Sequence, residues 1–324
     1  MNHKRRKANN SQKKNMKTIS FLNNKGGVGK TASVTTLAHI LATQFDKKVL
    51  LVDMDPQANA SNRFSKQNWF EIFADIMKIE KRELFELLGM EYDDETDEDS
   101  ITQKLTIKDL LLDLKLNPLD VIVNTRFENL DMIPTSLTLA TAESAILIDP
   151  VTPQQSRLKT QLDKIADKYD YCLIDCSPSV SILNINALNA SDEVYVPTRT
   201  DGDSVVGMAI SLDLIKQIQE YKPSLKCEGV FLTQVQWQES VAKTTELLLS
   251  RVLPPEQYVP IQIGNTKYLK ENSYAQKMLL ESDKKAQSSV TKAYIALAKY
   301  IIAPNKAQFL KDNEKEISEL VHIM

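Results

Sequence analysis

The sequence predicts an α/β protein with a doubly wound, mostly parallel sheet and a helical insertion. Three observations carry that expectation. β-prone runs alternate with segments of helical spacing along most of the chain. The runs are apolar without alternation, as strands covered on both faces are. A glycine-rich loop joins the first run to the first helix, giving a strand–loop–helix–strand unit with a right-handed crossover.

The elements follow in order. MNHKRRKANNSQKKNMK (1–17) holds seven Lys/Arg and no acid. It lacks the apolar stretch of a secretory signal, and residues 1–16 read as a flexible basic tail. TISFLN (18–23) is the first strand. After the loop, TASVTTLAHILATQF (31–45) is a helix, with Val34, Leu37, Ala38, Leu41 and Ala42 at helical spacing. KKVLLVDMDPQ (47–57), YDYCLIDCSPS (169–179), DEVYVPTRT (192–200) and CEGVFLTQV (227–235) each contain a strand. YVPIQI (258–263) is a candidate last strand. Helices are expected over 204–221, 240–253 and 288–302, the last stopped by Pro304.

The rhythm is lost over residues 62–128. There, helical segments surround a run in which seven of the nine residues 91–99 are acidic. Such a block reads as a solvated loop, and the whole stretch as an insertion or cap on a domain spanning 17–303. Residues 304–324 are a C-terminal helix or tail, with Phe309, Leu310, Ile317, Leu320 and Val321 able to share a face.

Composition excludes several classes. The 324 residues are 42% hydrophobic and 26% charged, ordinary for a globular protein. A net charge of −3 gives no global basic field, so nucleic-acid binding would need a local patch. Three cysteines, Cys172, Cys176 and Cys227, form no CxxC pair. That argues for a reducing cytoplasm and against a disulfide scaffold. No run of about 18 apolar residues occurs, so no membrane-spanning helix is expected.

The chemistry concentrates in KGGVGKT (25–31), between the first strand and helix. In a phosphate-binding loop, backbone N–H groups and the helix N-terminus face the anion, and glycine lets the backbone approach. Lys30 would hold the β- and γ-phosphate oxygens, and the Thr31 hydroxyl would ligate Mg²⁺. Asn24 stands where the usual pattern has its first glycine. Asp53 and Asp55 end the second strand and Asp175 ends another. Three acids therefore fall at the carboxyl edge of one sheet, where open α/β folds bind ligands.

KGGVGKT, VLLVDMDPQANAS (49–61) and YDYCLIDCSPS together resemble the ParA/MinD family of deviant Walker-A ATPases, and more narrowly the ParA/Soj-type DNA partition ATPases. ENLDMIPTSLTLATAES (128–144) and LNINALNASDEVYVPT (183–198) are similar to further stretches of that group. The resemblance runs from about residue 17 to 302 and is poor over 62–128.

The resemblance implies a fold of the P-loop NTPase type, ATP and Mg²⁺ as cofactors, and a role for each matching residue. Lys25 matches the family's second lysine, which reaches the other subunit's phosphates in an ATP-sandwich homodimer. Asp55 matches the acid that positions the attacking water, and Thr31, Asp53 and Asp175 match the groups that organise Mg²⁺. Gly26, Gly27, Val28, Gly29, Lys30, Thr31 and Ala32 match the phosphate cradle, and Pro197 borders the nucleoside. The implied activity is a slow ATPase in plasmid or chromosome partition, cytoplasmic and nucleoid-associated. It would bind non-specific DNA as a dimer and be stimulated by a centromere-binding, ParB-like partner.

This chain departs from the family at Ala32, where a threonine hydroxyl usually serves the α-phosphate, and at Gln238, where an arginine is usual. The arginines expected near 260–266 are absent. Lys267 and Lys270 are the substitute DNA contacts, followed by Lys284, Lys285 and Lys292, with the basic tail as a second candidate. Too little chain precedes residue 17 for a helix-turn-helix domain, so operator recognition is not expected. The alternative is a MinD-like membrane-surface ATPase, which needs a basic amphipathic C-terminal helix. Residues 311–319 carry two Lys against four acids, which argues against it. An iron–sulfur carrier is disfavoured because Cys172 and Cys176 bracket a strand and make no pair of cluster ligands.

Overall fold

Seven strands form one sheet: β1 Lys17–Phe21, β2 Val49–Met54, β3 Val123–Asn124, β4 Leu130–Ile133, β5 Tyr171–Cys176, β6 Glu193–Thr198 and β7 Lys226–Leu232. Their spatial order is β3-β4-β2-β5-β1-β6-β7. All neighbours pair in parallel except β3, which lies antiparallel on β4 at the edge. The computed structural model describes residues 16–322 except 65–72, 76, 90–104, 237, 267, 270, 271 and 273–275; at 321 and 322 it describes the backbone alone. The basic tail (but for Met16), the acidic run 91–99, Lys267 and Lys270 therefore lie outside the described residues.

The apolar strand runs have the cause the sequence implied. Alternate residues of each strand point to opposite faces, and both faces are covered. Leu50, Val52 and Met54 of β2 join Cys172, Ile174 and Cys176 of β5 in one core layer. Val49, Leu51 and Leu173 join Ile19 and Phe21 in the other. Cys172 and Cys176 are buried free thiols, small core residues as expected.

Helix α1 (Lys30–Gln44) lies in the second layer, packed against both the sheet and the helix Ser289–Ile302. It is contacted on two sides, so burial extends beyond the predicted stripe to Thr35, Thr36, His39 and Ile40. Ser288 caps the partner helix by accepting from the Thr291 N–H, and Ala303, in an extended conformation before Pro304, ends it. Within residues 62–128, Ile107, Leu110 and Leu111 of the helix Ile107–Leu112 enter the first core layer. At the C-terminus, Ile317 and Leu320 pack into the second layer.

The candidate strand over 258–263 does not form. Val259 and Ile263 donate to β7 carbonyls at 2.9 and 2.8 Å, and two isolated bridges join Val230 to Tyr258 and Val235 to Gly264. Between the Val259 and Ile263 bonds the segment advances four residues against two on β7, so no regular ladder forms.

The α1 residue His39 supplies a pH-dependent term. Its ring packs 4.2 Å from that of Phe127, and its Nδ1 is buried without a hydrogen-bond partner among the described residues. Burial pulls its pKa down to about 4, with Glu281 opposing the shift and Arg126 adding to it. The folded value lies below the unfolded one, so the unfolded chain binds more protons in between. The stabilisation is full above the ordinary value of 6.5 and is lost as pH falls toward 4. Comparison of wild type with His39→Leu by urea unfolding should show the difference in stability changing by on the order of 3 kcal/mol between pH 7 and pH 4. Parallel pH profiles for the two proteins would refute this.

Candidate functional site

The glycine loop leaves the carboxyl end of β1 and becomes α1. Gly29 caps the helix at φ 84° and Gly27 has φ 75°, a region in which a side chain is strained. The loop's carbonyls are engaged by hydrogen bonds within the protein. The Lys30 ammonium donates to the Asn23 and Lys25 carbonyls, both at 2.9 Å. Gln234 Nε2 donates to the Gly27 carbonyl at 2.8 Å, and the Thr233 hydroxyl to the Val28 carbonyl at 2.7 Å. The Gly29 carbonyl accepts the first bond of α1, from Ser33. Among the described residues, no backbone N–H from Gly26 to Ala32 has a protein partner. A row of unpaired N–H groups at a helix start is an anion site.

The loop's first limb is held from another direction. Buried Asn23 donates through Nδ2 to the Pro197 carbonyl at 2.8 Å and accepts the Lys25 N–H at 2.9 Å. The Asn24 N–H donates to the Ser211 hydroxyl at 2.8 Å. Ser211 sits on the helix Gly202–Tyr221, which approaches the loop at Gly207. Pro197 thus braces the loop from behind and does not line the cavity. The Lys25 side chain is half-exposed, with Nζ 3.4 Å from the exposed carboxylate of Asp203.

The three acids meet at the predicted edge. Asp53 and Asp175 are register partners on β2 and β5. Asp53 accepts from the Asp55 N–H at 3.1 Å and from the Ser61 N–H and hydroxyl at 2.8 and 2.7 Å. Burial pushes its pKa up to about 6 against those bonds. Asp175 is fully buried, and neither carboxylate oxygen has a hydrogen-bond partner among the described residues. Burial, then the neighbouring Asp53, raises its pKa well above the usual range, with Thr31 and Lys30 acting in the opposite sense. Burial likewise lowers the Lys30 pKa, while Asp175, Cys176 and Asp55 work the other way. Asp55 is buried and accepts from the Gln57 N–H at 3.0 Å.

A cavity of about 670 Å³ opens over the loop, and it includes Gly26, Gly27, Gly29, Lys30, Thr31, Ala32 and Asp55 in its lining. Sequence reasoning missed the rest of the wall. Gln57, Asn59 and Arg63 come from the turn after β2 and the short helix α2 (Asn59–Phe64). Ile263, Asn265, Thr266 and Leu269 come from the segment after β7, and Tyr294 from the helix Ser289–Ile302. Gln57 and Asn59 carried a signal as members of the DMDPQANAS stretch, and Pro178, also in the wall, as a member of YDYCLIDCSPS.

A parallel sheet with a phosphate loop after β1, and acids at the ends of β2 and β5, defines a P-loop ATPase. A family model described as an AAA domain matches residues 16–227. The chain is 30% identical over 288 residues to the sporulation initiation inhibitor protein Soj of Bacillus subtilis, covering 89% of this chain and 98% of that protein. It is also 30% identical over 288 residues to the chromosome-partitioning ATPase Soj of Treponema pallidum, covering 89% and 97%. A solved structure described as a plasmid partition protein of Borrelia burgdorferi B31 bound to AMPPNP is 25% identical, with a TM-score of 0.62 over 93% of this chain and 100% of that one. The chain belongs to the ParA/Soj-type partition ATPases.

Proposed function

We propose that this chain is a Mg²⁺-dependent partition ATPase that uses ATP to dimerise. In the dimeric state it binds DNA without sequence preference, and a centromere-binding, ParB-like partner stimulates its slow hydrolysis. The observation that carries the reading is the loop, whose N–H groups have no protein partner among the described residues while its carbonyls are already hydrogen-bonded. The AMPPNP in the Borrelia relative supports a nucleoside triphosphate as the ligand.

The residues fit the magnesium ion. Asp175 is a buried carboxylate without a hydrogen-bond partner among the described residues, and the Thr31 hydroxyl lies beside it. A hard oxygen set of this kind suits Mg²⁺. Asp53, whose oxygens already accept three hydrogen bonds, fits better as the anchor of the Asp55–Ser61 turn than as a direct ligand. When bound, the ion neutralises charge on the phosphate oxygens. Lys30 exchanges its carbonyl bonds for phosphate oxygens. Asp55 orients a water for attack, as its carboxylate lines the cavity. Lys25 leaves Asp203 and reaches the partner's nucleotide, adding positive charge where negative charge accumulates.

Lys284, Lys285 and Lys292 are exposed and available for DNA phosphates, in addition to the proposed contacts Lys267 and Lys270, which lie outside the described residues. Ile317 and Leu320 already spend the apolar face of the helix Glu314–His322 on the domain, which favours this reading over a MinD-like membrane helix. Among the described residues no helix is long and apolar enough to cross a membrane. We place the protein in the cytoplasm, on the nucleoid.

The test is retention of a random-sequence duplex at moderate salt with ATP, ADP or no nucleotide. ATP should give salt-sensitive binding, and Asp55→Ala should prolong it by blocking turnover. Equal binding in all three conditions would overturn the DNA step. The absence of stimulated hydrolysis with the cognate DNA-binding partner would overturn the partner step.

A further inference from the structure

The wall of the cavity contains a cation that no reading of the motifs anticipates. Arg63 lies in the last turn of α2, and its side chain lines the same cavity as Ala32. The helix that carries it is fixed. Ala60 and Phe64 are buried, Ser61 is tied to Asp53, and the Asn62 carbonyl accepts from Gln276 at 2.7 Å.

The guanidinium is poorly provided for. Its one described side-chain hydrogen bond is a long one, 3.5 Å from Nη1 to the Thr35 hydroxyl. No carboxylate lies within ion-pair distance of it among the described residues. Burial works against its charge, with Tyr294 and Asp175 offsetting. A guanidinium stays protonated at any ordinary pH, and this half-buried one faces the cavity with no carboxylate within ion-pair distance among the described residues, so its donors are open to an anion. A bound phosphate would engage them through two parallel hydrogen bonds.

The position indicates which phosphate. Thr35 is three residues beyond Ala32 on α1, so the two share a helix face, and the guanidinium contacts that face. Residue 32 is also where this chain lacks a hydroxyl for the α-phosphate. We infer that Arg63 is a phosphate ligand supplied from the same chain, binding the α-phosphate oxygens that Ala32 leaves bare. The inference rests on the nucleotide reading above and adds to it a residue and a phosphate.

Titration of the full-length protein with fluorescent mant-ATP and mant-ADP, each with Mg²⁺, tests it. Arg63→Gln should weaken both nucleotides by a similar factor, about 10- to 100-fold, as expected for loss of a charged hydrogen-bonded contact. Arg63→Lys should fall between the two. Adding Ala32→Thr to Arg63→Gln should recover most of the loss, and a purely structural role for Arg63 would not allow that. The thermal midpoint without nucleotide shows whether the variant folds; if Arg63→Gln does not, the Arg63→Lys loss and its rescue by Ala32→Thr carry the comparison. Unchanged affinity would overturn the inference, and so would a loss confined to mant-ATP, which would move the contact to the γ-phosphate. Failure of the wild type to bind either nucleotide would overturn the site itself, and this inference with it.

Discussion

Lys25→Ala should leave nucleotide binding by one subunit nearly intact and abolish the ATP-dependent dimer. The prediction follows from separating the residue's main chain from its side chain. The Lys25 N–H donates to Asn23, and its carbonyl accepts from Lys30. Both bonds shape the loop, and alanine keeps both. The ammonium contributes an exposed contact to Asp203 at 3.4 Å, and such a pair is worth at most about 1 kcal/mol. Monomer affinity for ATP should therefore change by no more than about fivefold. Analytical ultracentrifugation with ATP, in an Asp55→Ala background to block turnover, should show a dimer where Lys25 is kept and a monomer where it is replaced. DNA retention should disappear with the dimer. A dimer that persists without the ammonium would remove the basis for trans-acting chemistry at this site.

The second large effect lies outside the motif. A methyl group added at Gly207 would stand 2.8 Å from Asn23 Oδ1, 2.8 Å from Lys25 Cβ and 3.0 Å from the Lys25 nitrogen. Two of these three atoms hold the loop's first limb in shape, and none is the loose end of a flexible chain. Gly207→Val must therefore push the loop or the helix Gly202–Tyr221 aside. It should reduce nucleotide affinity at least about tenfold, and overpacking of this kind costs about 1–3 kcal/mol of stability. Gly202→Ala is the control, because nothing lies within 4 Å of a methyl group there. Equal nucleotide affinity in the two variants would show that the helix is not the loop's support.

The two predictions also mark what could be read from the sequence. The sheet, the loop, α1 and the three acids were legible because each is written in local spacing: an apolar run, a glycine cluster, an acid at a strand end. β3 and β4 were not, because strands of two and four residues are too short to show a periodicity. The expected strand at 258–263 failed because its register slips against β7, four residues against two, which no local pattern announces. The supports of the loop were illegible for another reason. Ser211, Thr233 and Gln234 reach it from 187, 205 and 207 residues away, and Arg63 and Tyr294 enter the cavity from elements with no phosphate-binding pattern. Contacts of that kind are made by the fold and leave no local signature.

The capture of the loop's carbonyls bears on how the protein meets its ligand. Thr233 and Gln234 fix the second limb before any anion arrives, so most of the ordering entropy is spent during folding and little remains to oppose association. Lys30 is the moving part: the Asn23 and Lys25 carbonyls hold its ammonium, which should pass to phosphate oxygens when a nucleotide binds. Nucleotide capture should then be fast and show single-phase kinetics. Any slow phase after mixing would belong to encounters between subunits and would scale with protein concentration.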